Sequence, residues 1–369
     1  MDQTDPITTL LLQGVRTQVF PGAVLFVRQQ GTIRIHQGIG LTSRLPDSPP
    51  VHLKTIYDLA SLTKPLGTTS AILLLIQEGF LDLDQSIDTV LEETHGFSLG
   101  HASVRELLCH RSGLPGWRPY YQSFKAAPPS DSAIRLERVQ AFLEKILEEP
   151  INRSSPQNSI YSDLGYMLLG FVLERMTNQS LAKFCQNRIF EPLQAIPLGY
   201  GGQVVGGGEV GSIIEVAPTE QDPWRGRLLQ GEVHDENAAA LGGIAGHAGL
   251  FGTAEAVGQV TKAWLESFND KPGLFDCQLV KQFVTAQPGT SWGLGWDTPS
   301  QPSSSGQWFS PESFGHLGFT GTSIWIDPTR ELEVIFLSNR VHPTRNNDAI
   351  KTFRQKLHDL IVQEVLADS

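Results

Sequence analysis

Strand-like segments stand at the two ends of this sequence, and a long helical pattern fills the space between them. "AVLFVRQQ" (23–30) and "TIRIHQGIG" (32–40) lie near the start and read as a hairpin turning at Gly31. "WGLGWD" (292–297), "GHLGFTGTSIWID" (315–327) and "LEVIFLSN" (332–339) lie near the end. Residues 82–190 are mostly helical in pattern, as in "VRELLCH" and "LGYMLLGFVLERMTN". An opening helix over 5–18 has Asp5 as N-cap and Pro6 at its first position, and a long helix from about Asn347 closes the chain. The simplest architecture joins the distant strands in one antiparallel sheet, with the terminal helices on it and a helical lobe inserted. The expected class is therefore α/β in the α+β sense. The expected organisation is a single domain over 1–369, with a sheet lobe at about 1–80 and 240–369 and a helical lobe at about 81–239.

Composition narrows the partners more than the fold. A net charge of −11 over 369 residues makes nucleic acid and anionic membranes poor partners. The N-terminus lacks a basic region followed by a long apolar run, so neither a signal segment nor a membrane span is expected. Cys109, Cys185 and Cys277 are odd in number and widely spaced, which gives no zinc spacing and no disulfide framework. Reduced thiols in the cytoplasm are the expectation.

The stretch "DLASLTKPLGTTSAILLLIQEG" (58–79) carries the chemistry. Pro65 has no N–H to return to the carbonyl of residue 61, so it belongs in a first helical turn and the helix begins near Ser61. Residues three apart share a face, which puts Lys64 within reach of the Ser61 hydroxyl. The helix N-terminus favours a developing alkoxide. The run "AILLLI" means burial nearly all round, and burial lowers a lysine pKa towards that of a useful base. Gly79 ends the segment. By itself a serine and a lysine at this spacing occur by chance in many proteins.

Two further segments make the constellation specific. "YSDLGYMLLGFVLE" puts Tyr161 and Asp163 before an apolar helix, and "FGHLGFTGTSIWIDP" puts His316 and Gly318 at the start of a strand. In this order the three segments resemble the serine hydrolases of the β-lactamase and penicillin-binding-protein superfamily. The likeness is to the branch holding class C β-lactamases, D-Ala-D-Ala carboxypeptidases, D-aminopeptidases and family VIII esterases. "ELLCHRSGLPGW" and "LGGIAGHAGLFGTAEAV" are similar to that branch too, and the resemblance covers roughly 20 to 360.

The resemblance implies that Ser61 is the acylated nucleophile and Lys64 its base or proton relay. Tyr161 would act with Lys64 as phenolate or as a proton shuttle to the leaving group. Asp163 stands where asparagine is usual, and a close aspartate would hold Lys64 charged. His316 replaces the lysine of the K-T-G motif, and a neutral histidine binds a substrate carboxylate less well. Gly318 leaves room for substrate along the strand edge. The backbone N–H groups of Ser61 and Phe319 would form an oxyanion hole.

The expected activity is a serine hydrolase working through an acyl-enzyme at Ser61 on a small ester or amide, with no cofactor. A D-Ala-D-Ala carboxypeptidase, a muropeptide amidase or a weak β-lactamase stands beside it, so cell-wall peptide is a second substrate class. A non-catalytic binding protein on the same fold is the rival from another class.

Other segments carry less. "GEVHDENAAALGG" offers His234, Asp235 and Glu236, but consecutive residues rarely converge on one ion, so a capped turn near the site rim is expected and no metal. "GGQVVGGGEVG" (201–211) reads as a surface loop or flap. His110 and Arg111 read as helix-end groups. Trp117, Tyr120 and Tyr121 read either as a pocket mouth or as packing under a loop. Arg340, His342 and Arg345 read as a solvated strand end, where one arginine could meet an anionic substrate.

Overall fold

The computed structural model describes residues 5–129, 131–152, 159–201, 204 and 216–367. The 201–211 stretch lies outside them except for Gly201 and Val204. In chain order the strands are β1 (Gly22–Gln29), β2 (Thr32–Gly40), β3 (Tyr57–Asp58), β4 (Leu198–Tyr200), β5 (Gln221–Asp222), β6 (Arg227–Leu228), β7 (Leu250–Gly252), β8 (Phe314–Leu317), β9 (Ser323–Asp327) and β10 (Leu332–Ser338). The α-helices are α1 (Pro6–Arg16), α2 (Ser70–Gln77), α3 (Val104–Leu108), α4 (Ser132–Leu147), α5 (Asp163–Thr177) and α6 (Leu181–Cys185). They continue with α7 (Glu236–Ala240), α8 (Ala254–Phe268), α9 (Cys277–Val284) and α10 (Ile350–Ala367).

The ends of the chain do meet in one sheet. Its order is β2-β1-β10-β9-β8, antiparallel throughout, with Ala23 opposite Ser338 and Gln29 opposite Leu332. The hairpin turns at Gln30 and Gly31 as expected, since Gln29 pairs with Thr32. All eight residues of β1 are buried because both of its faces are covered. On one face α1 and α10 pack through Phe20, Phe336 and Phe353, with Phe20 5.4 Å and 5.1 Å from the other two rings. On the other face lies α8. There a buried pair, Arg28 to Glu333 at 2.8 Å, is tied to α8 through Thr261, whose hydroxyl donates to Glu333 at 2.6 Å. Burying that charge pair is tolerable only because each partner is also hydrogen-bonded.

Asp5 caps α1 by accepting from the N–H groups of Ile7 and Thr8. The helix ends at Arg16, and α10 begins at Ile350 rather than Asn347, whose side chain instead accepts from Ala349 N–H at 3.1 Å. Two strand expectations change. "WGLGWD" forms only isolated bridges, Trp292 to Asp297 and Asp297 to Gly315, because Gly295 takes φ +88° where a ladder needs extended backbone. "GHLGFTGTSIWID" is a hairpin, β8 and β9 joined by residues 318–322, so His316 sits near the end of a strand and not at its start.

The segment after Ser61 is helical but not uniformly α. A 3₁₀ turn spans Ala60–Leu62, a π-helical stretch spans Lys64–Thr69, and α2 follows to Gln77. The wider turn lies where Pro65 cannot close the ordinary bond to residue 61. Gly79 ends the run, its N–H on Ile76 O at 3.0 Å. Six residues of α2, Ser70 to Leu75, are buried in the main core together with the inner face of α5. No helix among the described residues is long and apolar enough to cross a membrane.

Candidate active site

Ser61 follows a residue in a costly conformation. Ala60 has φ +48°, a left-handed geometry that a Cβ disfavours by about 1–2 kcal/mol. Asp58 holds it there, accepting from Ala60 N–H at 2.8 Å with one oxygen and from His234 N–H at 2.6 Å with the other. Sequence reasoning missed Asp58. Its signal was an aspartate two residues before the turn it supports.

Lys64 stands where the i, i+3 spacing put it, and it is fully buried. Its Nζ donates to Ser61 Oγ at 3.1 Å, to Asp163 Oδ1 at 2.6 Å and to the carbonyl of His247 at 3.3 Å. Three acceptors around one nitrogen suit an ammonium. Burial alone pulls the Lys64 pKa down, yet the Asp163 charge and Tyr161 outweigh it, and the net shift is upward. The expectation of a lysine lowered by desolvation is thus corrected by Asp163, which closes on it from the first turn of α5. Tyr161 is only partly exposed and stands against the same amine, with Lys64 Nζ 4.7 Å from its ring centroid. Desolvation raises the Tyr161 pKa, though hydrogen bonding with Lys64 and Ser61 opposes the rise. The net upward direction favours the phenol as the resting form of Tyr161.

An aromatic and imidazole wall surrounds Tyr161. His110 lies 4.6 Å from its ring, Trp292 5.3 Å and His316 5.9 Å. His110 does stand just past the end of α3, its N–H on Leu107 O at 3.3 Å. It is buried, and its Nδ1 accepts from Ser162 N–H at 3.1 Å, which orients the turn that carries Tyr161. His316 donates Nδ1–H to its neighbour Leu317 O at 2.9 Å, which leaves the Nε2 lone pair without a protein partner. Burial first and the Lys64 charge second press its pKa down to about 3, so His316 is neutral.

A pH consequence follows for the whole fold. Burial holds His316 at about 3, His358 at about 4 and His110 well below its ordinary value. Unfolded histidines protonate near 6.5, so below that pH the unfolded chain binds protons that the folded chain refuses. Urea midpoints should therefore fall as pH drops from 7 to 5, because proton uptake by these histidines on unfolding outweighs the one proton that folded Asp297 gives up. A midpoint flat across that range would contradict the buried neutral imidazoles.

Opposite Ser61 the β8–β9 turn is pinned to the Asp58–Leu59 backbone. Thr320 Oγ1 donates to Asp58 O at 2.7 Å and Thr322 Oγ1 to Leu59 O at 3.1 Å. A Cβ on Gly318 would stand 1.9 Å from Thr322 Oγ1 and 2.6 Å from Leu59 O. The glycine there thus admits the protein's own nucleophile loop, where sequence reasoning had it making room for substrate. Phe319 is half exposed, with its carbonyl accepting from Arg340 Nε at 2.9 Å and the Arg340 guanidinium 4.4 Å over its ring.

These groups line one cavity of about 660 Å³, large enough for a small peptide or ester. Ser61, Tyr161, Asp163, His316, Gly318 and Phe319 all reach it, and Lys64 lies buried behind Ser61. Trp117, Arg340 and Arg345 reach it as well. Tyr120 does not: it is buried, with its hydroxyl on Glu149 at 2.8 Å, and Tyr121 packs on Trp224. Arg111 donates to Pro288 O at 2.9 Å. Arg345 is committed to Glu220 at 2.6 Å and Glu236 at 2.7 Å, and buried His342 to Thr219 O at 2.9 Å. The strand end read as solvated is therefore internally paired. Asp235 is the cap expected of "VHDENAAA", accepting from Ala238 N–H at 2.7 Å, and it also faces the cavity beside His247. His247, whose carbonyl serves Lys64, had no sequence signal beyond its place in "GGIAGHAG".

The chain belongs to the β-lactamase family, whose model matches residues 7–358, and it is a serine hydrolase of that family. It is 32% identical over 311 residues to a protein of Escherichia coli (strain K12) provisionally named D-alanyl-D-alanine carboxypeptidase, covering 78% of this chain and 70% of that one. It is 30% identical over 351 residues to the N-acetylmuramyl-L-alanine amidase of Bacillus subtilis (strain 168), covering 88% and 79%. Among solved structures the fold is shared with EstCE1, a hydrolase with promiscuous acyltransferase activity, at a TM-score of 0.73 and 16% identity over 96% of this chain and 97% of that one.

Proposed function

We propose that this single-domain protein cleaves a small amide or ester through an acyl-enzyme on Ser61. The observation that carries the reading is the contact of Ser61 Oγ with Lys64 Nζ at 3.1 Å, itself 2.6 Å from Asp163. In the resting state Lys64 has no lone pair to offer. As Ser61 Oγ bonds to the carbonyl carbon, Lys64 takes the serine proton while giving one of its own to Asp163. The ammonium thus stays beside the developing oxyanion, which the N–H groups of Ser61 and Phe319 would bind. Collapse breaks the carbonyl's bond to the leaving group; Tyr161 gives that group its proton and regains one from Lys64, which takes back the proton held by Asp163 and leaves it a carboxylate. Water then repeats the sequence on the acyl-enzyme.

The names of the two relatives make a cell-wall amide, muramyl-peptide or D-alanyl, the amide to try first. The neutral His316 where a cation is usual argues against a true β-lactamase. Free thiols at Cys109, Cys185 and Cys277 favour a reducing, cytoplasmic setting.

Intact mass after a fluorophosphonate tests the reading. The native chain should gain one adduct, and Ser61→Ala should gain none. An adduct that persists in the variant, or none on a folded native chain, would move the non-catalytic reading to the front.

A further inference from the structure

Carboxylates around the Ser61 cavity are matched by basic groups. Asp163 faces Lys64, Asp235 faces His247 at 2.8 Å, Glu236 takes Arg345 at 2.7 Å and Asp348 takes Lys351 at 2.9 Å. Asp297 differs. It lines the same cavity, is only partly exposed, and has no cationic side chain paired with it among the described residues. Its contacts are the N–H of the next residue, Thr298, at 3.0 Å and Ser291 Oγ at a long 3.4 Å. Those two donors leave most of the acceptor capacity of a carboxylate unused. Burial with no compensating charge holds its pKa up at about 7.

What stands next to Asp297 fits a positive charge. Trp292 is its partner across a β-bridge, lines the cavity with it, and is partly exposed. The Trp292 ring lies 5.3 Å from the ring of Tyr161 and 5.6 Å from His316, so this corner adjoins the reacting groups. A carboxylate beside an indole attracts a cation by charge and by the ring quadrupole together. A neutral hydroxyl gains only the hydrogen bond, and an anion is repelled.

We propose that Asp297 and Trp292 form a subsite for a primary ammonium group of the substrate, which makes the substrate an amino-acid or peptide derivative with a free amine. This rests on the cavity being the acyl-transfer site of Ser61. Asp297 is then a specificity residue and takes no part in the bond-breaking steps.

The test compares n-pentylammonium with n-pentanol, matched in shape and differing in charge. Binding is followed by the NMR shift of the Trp292 indole N–H, which needs no turnover. The wild type should bind the ammonium at least about tenfold more tightly than the alcohol. In Asp297→Asn, and in Asp297→Ser as a second neutral replacement, the preference should shrink to the small part that the Trp292 ring supplies alone, with near-ultraviolet circular dichroism showing the fold intact. Equal binding in the wild type, or an undiminished preference in either folded variant, overturns the subsite. Hydrolysis of p-nitrophenyl butyrate by wild type and Ser61→Ala is measured alongside. Turnover that Ser61→Ala retains removes the catalytic reading while the ammonium preference is judged on its own.

Discussion

Lys64→Met should lower kcat/KM on any accepted ester or amide by about 10³-fold, the scale of losing a positioned proton-transfer group. The same change should also destabilise the fold. Lys64 is fully buried, and the Asp163 side chain it leaves behind is only 17% exposed, so a carboxylate is stranded with little water to replace its partner. Removing one member of such a pair costs about 3–5 kcal/mol, towards the lower end here because Asp163 retains some solvent. The double variant Lys64→Met with Asp163→Leu discards both charges and should recover most of the stability while recovering none of the activity. Urea midpoints and steady-state rates on the three proteins separate the two effects. If the single variant keeps activity within tenfold of the wild type, Lys64 is a structural cation and the proton route assigned to it is wrong.

The architecture was legible in the sequence because its main constraint is non-local and strongly patterned. The apolar runs at 23–30 and 332–339 leave few choices but each other, and they pair residue for residue. The nucleophile and its lysine were legible for a local reason, since Pro65 limits where the helix can start and spacing does the rest. Groups brought in by tertiary packing were not legible. His110, His247 and Trp292 sit in three segments far apart in the chain, and nothing local marks them as neighbours of Ser61. "WGLGWD" misled because its apolar residues resemble a strand, whereas the φ of Gly295 interrupts the ladder and turns Asp297 into a cavity residue. Gly318 was expected to make room for substrate, and the fold adds a second reason for a glycine there. Only the folded turn shows that Leu59 O occupies the space.

Asp163→Asn is the sharper probe of mechanism, because it installs the side chain that the wider superfamily prefers. In the wild type the Asp163 charge overcomes desolvation and keeps Lys64 protonated beyond its ordinary range. Asparagine brings no charge, so Tyr161 alone is left to oppose burial and the Lys64 pKa must fall. Near neutral pH the amine would still hold its proton but would have no carboxylate to pass one to. The expected result is a kcat/KM lower by about ten- to a hundredfold at pH 7. As pH rises, the variant should recover along an ascending limb that tracks the deprotonation of Lys64, whereas the wild type should show no such limb below about pH 10. The Lys64 Cε resonance, followed by NMR through the same range, gives the titration independently of turnover. Matching limb and titration would establish that Asp163 is the reservoir that lets a charged lysine act as a base. Identical profiles for the two proteins would mean that the serine proton leaves by another path, and Tyr161, which stands beside Lys64, would be the group to test next.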